Sequence, residues 1–88
     1  FIAQLIDRYG DTFAELELWN EPNNRMKWDF ERFDPGWRKF ASMVRTAAVR
    51  AKQLGKTTVL GGMIPVDPHW LRTVDAHGGL DGIDIVAI

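Results

Sequence analysis

Cysteine is absent from these 88 residues, so neither a disulfide framework nor thiol chemistry is open to the chain. Charge of one sign is also lacking. Eleven Lys and Arg stand against 12 Asp and Glu, giving a formal net charge of −1. That removes the electrostatic case for nucleic acid or an anionic membrane as partner. No apolar run approaches the roughly 20 residues of a membrane-spanning helix. Histidine occurs twice, as His69 and His77, without other ligands at a recognisable metal spacing, so no metal site is expected. There is no phosphate-cradling loop, no nucleophilic-serine motif, no dinucleotide fingerprint and no internal repeat, and no cofactor is implied. The compartment is not legible from these residues.

What is present alternates. Ile2, Leu5, Ile6 and Tyr9 fall at helical spacing and Gly10 closes the segment. Thr12 to Asn20 reads as a strand. Within it Leu16 and Leu18 point to one side, and Glu17, Trp19 and Glu21 to the other. Pro22 cannot donate to a ladder and ends the strand. A charged and aromatic loop follows over 22–33, with Asn23, Asn24, Arg25, Lys27, Trp28 and Phe30. Asp34-Pro35 then opens a helix, Asp34 as cap and Pro35 in the first turn. Its apolar stripe is Trp37, Phe40, Val44, Ala47, Ala51 and Leu54, and Gly55 stops it. Arg38, Lys39, Arg45, Arg50 and Lys52 lie off the stripe, as a solvated outer face. Thr57 to Met63 is a second strand. Asp67-Pro68 opens a short helix ending at Gly78-Gly79, and Ile83 to Ile88 is a third strand. Helix and strand in turn predict an α/β fold with a parallel sheet.

The segment Leu16-Glu17-Leu18-Trp19-Asn20-Glu21-Pro22-Asn23 carries the chemistry. Parallel α/β folds place their chemistry at the C-terminal lip of the strands, where Asn20 and Glu21 fall. Trp-Asn-Glu-Pro-Asn resembles the acid/base motif of the clan of retaining glycoside hydrolases with a (β/α)8 barrel. With Thr58-Val59-Leu60-Gly61-Gly62 and Ile83-Asp84-Ile85-Val86-Ala87-Ile88 at suitable spacing, it is most similar to the β-xylosidase-like branch. The resemblance implies that the motif closes the fourth barrel strand. A whole barrel needs roughly 250 residues. Residues 1–88 are therefore expected to be a central piece, about strand four to strand six, of a TIM-barrel catalytic domain. A piece of this kind presents open sheet edges and is expected to self-associate.

On that resemblance Glu21 is the general acid/base, a role that needs a raised pKa. Asn20 is expected to hydrogen-bond the sugar hydroxyl beside the reacting carbon. Asn23 and Trp28 are further candidates for the carbohydrate substrate. Asn23 and Asn24 equally serve as turn formers, and Trp28 and Phe30 equally serve to pack the loop. Glu17 and Trp19, by parity, should point into the barrel. Trp19 suits the core, while Glu17 needs either a donor from a neighbouring strand or water. The nucleophile of the family lies on strand seven, and Asp67, Asp81 and Asp84 do not match that position. Two readings stay open: part of a retaining β-glycosidase, or a non-catalytic carbohydrate-binding barrel segment.

Overall fold

A computed structural model describes all 88 residues. Helix α1 spans Ile2–Tyr9 and runs through a 3₁₀ turn, Gly10–Thr12, into strand β1, Glu15–Glu17. A short helix α2, Phe30–Phe33, precedes the long helix α3, Arg38–Gln53. Strand β2, Thr57–Leu60, helix α4, Pro68–Ala76, and strand β3, Ile85–Val86, complete the chain. The strands lie in the order β1-β2-β3 and both pairings are parallel, with Glu17 opposite Val59 and Val59 opposite Ile85. The α/β expectation is thus met by a three-stranded parallel sheet with helices between its strands. No helix is long and apolar enough to cross a membrane.

The two faces of this sheet differ. Thr58 and Leu60 are fully buried and Leu18, Leu60 and Val86 join the core under the helices. The next residues along each strand form the row Glu17, Val59 and Ile85, which the period of two turns to the opposite face. That face is uncovered: Glu17 is exposed, Val59 half-buried and Ile85 44% exposed. The core proper is Trp37, Phe40, Ala41, Val44, Leu60, Met63, Trp70 and Val74. Phe40 meets Phe30, Trp37 and Trp70 with ring centroids 5.3, 5.5 and 6.1 Å apart, edge-on or tilted. Each such pair contributes about 0.5–1.5 kcal/mol beyond area burial.

Several boundaries differ from the expectation. The first strand pairs over Glu15–Glu17, extended by one bond at each end, from the Thr57 N–H to the Ala14 carbonyl at 3.0 Å and from the Leu18 N–H to the Val59 carbonyl at 2.9 Å. Upstream, the 3₁₀ turn takes Gly10–Thr12; downstream, Trp19 and Glu21 adopt φ of 151° and 52°, which no ladder accommodates. The long helix begins at Arg38 rather than Pro35. Trp37, at φ 60°, separates the cap from the helix, yet Asp34 still caps it: its carboxylate accepts from the Lys39 and Phe40 N–H groups at 3.2 and 2.8 Å. The buried stripe also differs from the expected one: Ala41 and Ala48 are fully buried, while Ala47 and Leu54 are only half-buried. Small residues suit that face, because a Cβ on Gly82 would stand 2.8 Å from the Ala48 Cβ. Asp67 caps α4 as expected, accepting from His69 and Trp70 at 3.0 and 3.2 Å. The outer basic face is solvated, with Arg45 paired to Asp81 and Lys52 to Asp84.

Candidate active site at the ends of β1 and β2

The chain leaves β1 through backbone that favours glycine, without using glycine. Trp19 and Glu21 both carry positive φ. Residues held this way cost of order 1–3 kcal/mol each and persist where the surroundings fix them. Here the fixing is visible. The Trp19 carbonyl lies against Gly61 just past β2, so closely that a Cβ there would come within 1.7 Å of that oxygen and 2.4 Å of a Glu17 oxygen. Glycine at 61 is what lets the end of β1 lie against β2. The Trp19 ring leaves the parity expected for it and joins the aromatic chain on the helix side. It lies 5.1 Å from Trp28 and 5.5 Å from Phe30, which continues to Trp37 and Phe40. The irregular backbone at Trp19 breaks the alternation that the strand reading assumed. Glu17 keeps its parity and sits on the uncovered face, exposed and without an ion-pair partner.

Glu21 follows in the loop just past the C-terminal end of β1. Its Oε2 accepts from Lys27 Nζ at 2.6 Å and from Asn24 Nδ2 at 3.3 Å. Its carbonyl accepts from the Asn24 N–H at 3.0 Å, closing a turn over the buried Pro22. The Lys27 ammonium, with help from Asn24, holds the Glu21 carboxyl below the ordinary value of 4.5, against a smaller opposing effect of desolvation. A general acid needs the opposite direction, so in this state Glu21 is an ionised carboxylate and has the form of a base.

The other candidates divide. Asn20 is exposed and is held through its backbone, whose carbonyl accepts from Trp28 Nε1 at 3.1 Å. Its carboxamide stays available to a ligand. Trp28 is 38% exposed and packs on Trp19, so the packing role is fulfilled while part of the side chain faces water. Asn23 is committed elsewhere. Its Nδ2 donates to the Pro65 carbonyl and its Oδ1 accepts from the Ile64 N–H, both at 2.8 Å. It clamps the loop after β1 to the loop after β2. Beside that clamp lies a cavity of about 610 Å³, walled by Asn23 and Asn24 on one side and by His69, Trp70 and Thr73 of α4 on the other. Glu21 stands just outside this cavity, in contact with its wall through Asn24.

The sequence reading missed the Asn23 clamp and the Lys27–Glu21 pair. For the pair a signal existed, since a lysine in the turn after a carboxylate is a local opposite-charge neighbour. For the clamp there was none. Comparison with protein-family models, with characterised proteins and with solved structures gave no match.

Proposed function

We propose that these residues form strands four to six of a glycosidase barrel and supply Glu21 as the acid/base of a retaining hydrolysis of β-glycosidic bonds. The observation that carries the reading is Glu21 in the loop just past the C-terminal end of β1 in an all-parallel sheet. Asn20, with a free carboxamide, precedes it, and a cavity walled in part by Asn23 and Asn24 adjoins it. In a retaining enzyme one carboxylic acid protonates the departing oxygen and a second carboxylate bonds the anomeric carbon. The first group then takes a proton from the water that releases the sugar. The second carboxylate belongs to a part of the barrel outside residues 1–88. Asn20 holds a sugar hydroxyl near the reacting carbon, Trp28 offers a ring face to the sugar, and Asn23 acts by holding the two loops together.

A non-catalytic carbohydrate-binding barrel is the second reading, and the Lys27 pair favours it, because that pair disfavours the protonated form of Glu21. Glu21→Gln in the complete barrel separates the two. General acid–base catalysis contributes typically 10²–10⁴-fold. A loss of about that size is expected on glycosides with poor leaving groups. Activated aryl glycosides, which need little protonation, keep much more of their first step, and added azide restores their second. Parental activity of Glu21→Gln on a poor leaving group overturns the catalytic assignment.

A further inference from the structure

Both donors on Glu21 meet the same oxygen. Lys27 Nζ and Asn24 Nδ2 converge on Oε2, which leaves Oε1 without either of them. The Glu21 side chain is 18% exposed, while that of Lys27 is 51% exposed and comes from the turn directly after it. Lys27 has no other carboxylate partner. The remaining charged pair of this loop, Arg25 with Glu31 at 2.9 Å, is closed on itself. Trp28 and the Ile64-Pro65 segment, which border this turn, bring no charge. Lys27 is thus the one charged group acting on Glu21.

We propose that Lys27 is a positioning residue that biases Glu21 toward its base form and so favours the second half of the catalytic cycle over the first. The inference rests on the glycosidase reading. In the first half, the proton on Glu21 passes to the glycosidic oxygen as the bond from that oxygen to the anomeric carbon breaks. The carboxylate from elsewhere in the barrel bonds that carbon. In the second half, Glu21 takes a proton from water while the water oxygen attacks the same carbon and frees that carboxylate. The first half needs Glu21 protonated and the second needs it ionised. A cation on Oε2 stabilises the ionised form, and leaves Oε1 as the oxygen that exchanges the proton.

The two halves therefore respond to Lys27 with opposite sign. In Lys27→Met, a substrate with a poor leaving group, limited by the first half, should show the basic limb of its kcat/KM profile moved to higher pH. Its rate near neutrality should rise. An activated aryl glycoside, limited by the second half, should show the acidic limb of its kcat profile moved to higher pH, and its rate in acid should fall. Lys27→Arg should bring both profiles back toward the parent. A lysine with a merely structural role would lower both substrates together without moving either limb. The carboxyl carbon resonance of Glu21, titrated in parent and Lys27→Met, should report a higher midpoint in the variant whether or not substrate is turned over. Unmoved limbs and an unmoved midpoint overturn the proposal. Glu21→Gln assayed alongside distinguishes the failures. If it keeps parental activity, the glycosidase reading falls. If it loses activity while Lys27→Met leaves the limbs in place, the role of Lys27 alone falls.

Discussion

Asn23→Ala should loosen the loop after β2 without unfolding the sheet. The substitution removes two neutral hydrogen bonds, one to the Pro65 carbonyl and one from the Ile64 N–H. A net bond of this kind contributes about 0.5–1.5 kcal/mol, so the pair lies between about 1 and 3 kcal/mol. Ile64 is 49% exposed, so water replaces the lost partners and the lower end of that range applies. Roughly 1 kcal/mol corresponds to a change of about fivefold in a local opening equilibrium, since 1.4 kcal/mol is tenfold. Amide hydrogen exchange reads this directly, because local openings are what it samples. The Ile64 amide should exchange at least about fivefold faster in Asn23→Ala than in the parent, on the opening estimate above. The Leu18 amide, bonded to Val59 inside the sheet, should not change. Asn23→Asp keeps the acceptor for Ile64 and loses only the donor to Pro65, so Ile64 should retain more protection than in Asn23→Ala. If the job of Asn23 were to bind sugar alone, exchange at Ile64 would be the same in all three proteins without ligand. That result would refute the clamp.

Two further outcomes follow from the same geometry. Gly61→Ala forces a methyl group into backbone 1.7 Å away, and since the Trp19 carbonyl cannot rotate aside as a side chain does, the cost should reach the upper part of the usual 1–3 kcal/mol for overpacking or exceed it; an unchanged midpoint of thermal unfolding would contradict the close approach. Asp84 carries a pH dependence: the Lys52 ammonium at 2.8 Å, then the Thr58 N–H at 3.0 Å, hold its carboxyl below the ordinary value of 3.8. A depressed folded pKa means that this stabilisation is fully present above the ordinary value and is lost as pH falls through the folded one. Urea unfolding as a function of pH should therefore show a shallower acid loss in Asp84→Asn than in the parent, and identical acid limbs would show that the pairing contributes nothing.

How far the fold could be read depended on whether each feature is periodic and local. The order of helices and strands and the parallel sheet came from periodicity. Residues such as Phe40, Val44, Thr58 and Leu60 repeat at the spacing of their element. The caps at Asp34 and Asp67 were legible because the chemistry of an N-cap is local. Even so, Asp34 shows the limit: the cap held, while the start of the helix moved to Arg38 because Trp37 takes a left-handed turn that no side-chain preference announces. Strand ends were misjudged for a related reason. Pairing of β3 beyond Ile85–Val86 continues as single bonds, from Asp84 to Thr58 at 3.1 Å and from Ala87 to Leu60 at 3.0 Å. The apolar run marks buried residues, and the ladder stops before the run does.

The candidate site was half legible for the same physical reason. Position along the chain placed Asn20 and Glu21 past a strand end, and the structure brings them there. What surrounds them comes from residues far apart in sequence or from backbone outside the common regions. Asn23 meets Ile64 across 41 positions, and the Trp19 carbonyl meets Gly61 across a whole helix. These two contacts act on the same short stretch. Gly61 lets the end of β1 approach β2, and Asn23 then ties the next turn to the loop beyond it. This stretch includes Trp19 and Glu21, two of the three non-glycine residues with positive φ. The strained backbone is thus held from both ends by contacts to β2 and its loop, and it is this stretch that carries the carboxylate. On the proposed glycosidase reading, a stretch held at both ends suits a group that must meet a bond in one geometry, since small misplacements are costly in catalysis. It also explains why Lys27 acts on Glu21 as a local neighbour: once the turn over Pro22 is fixed, the next cation along the loop falls within reach of Oε2.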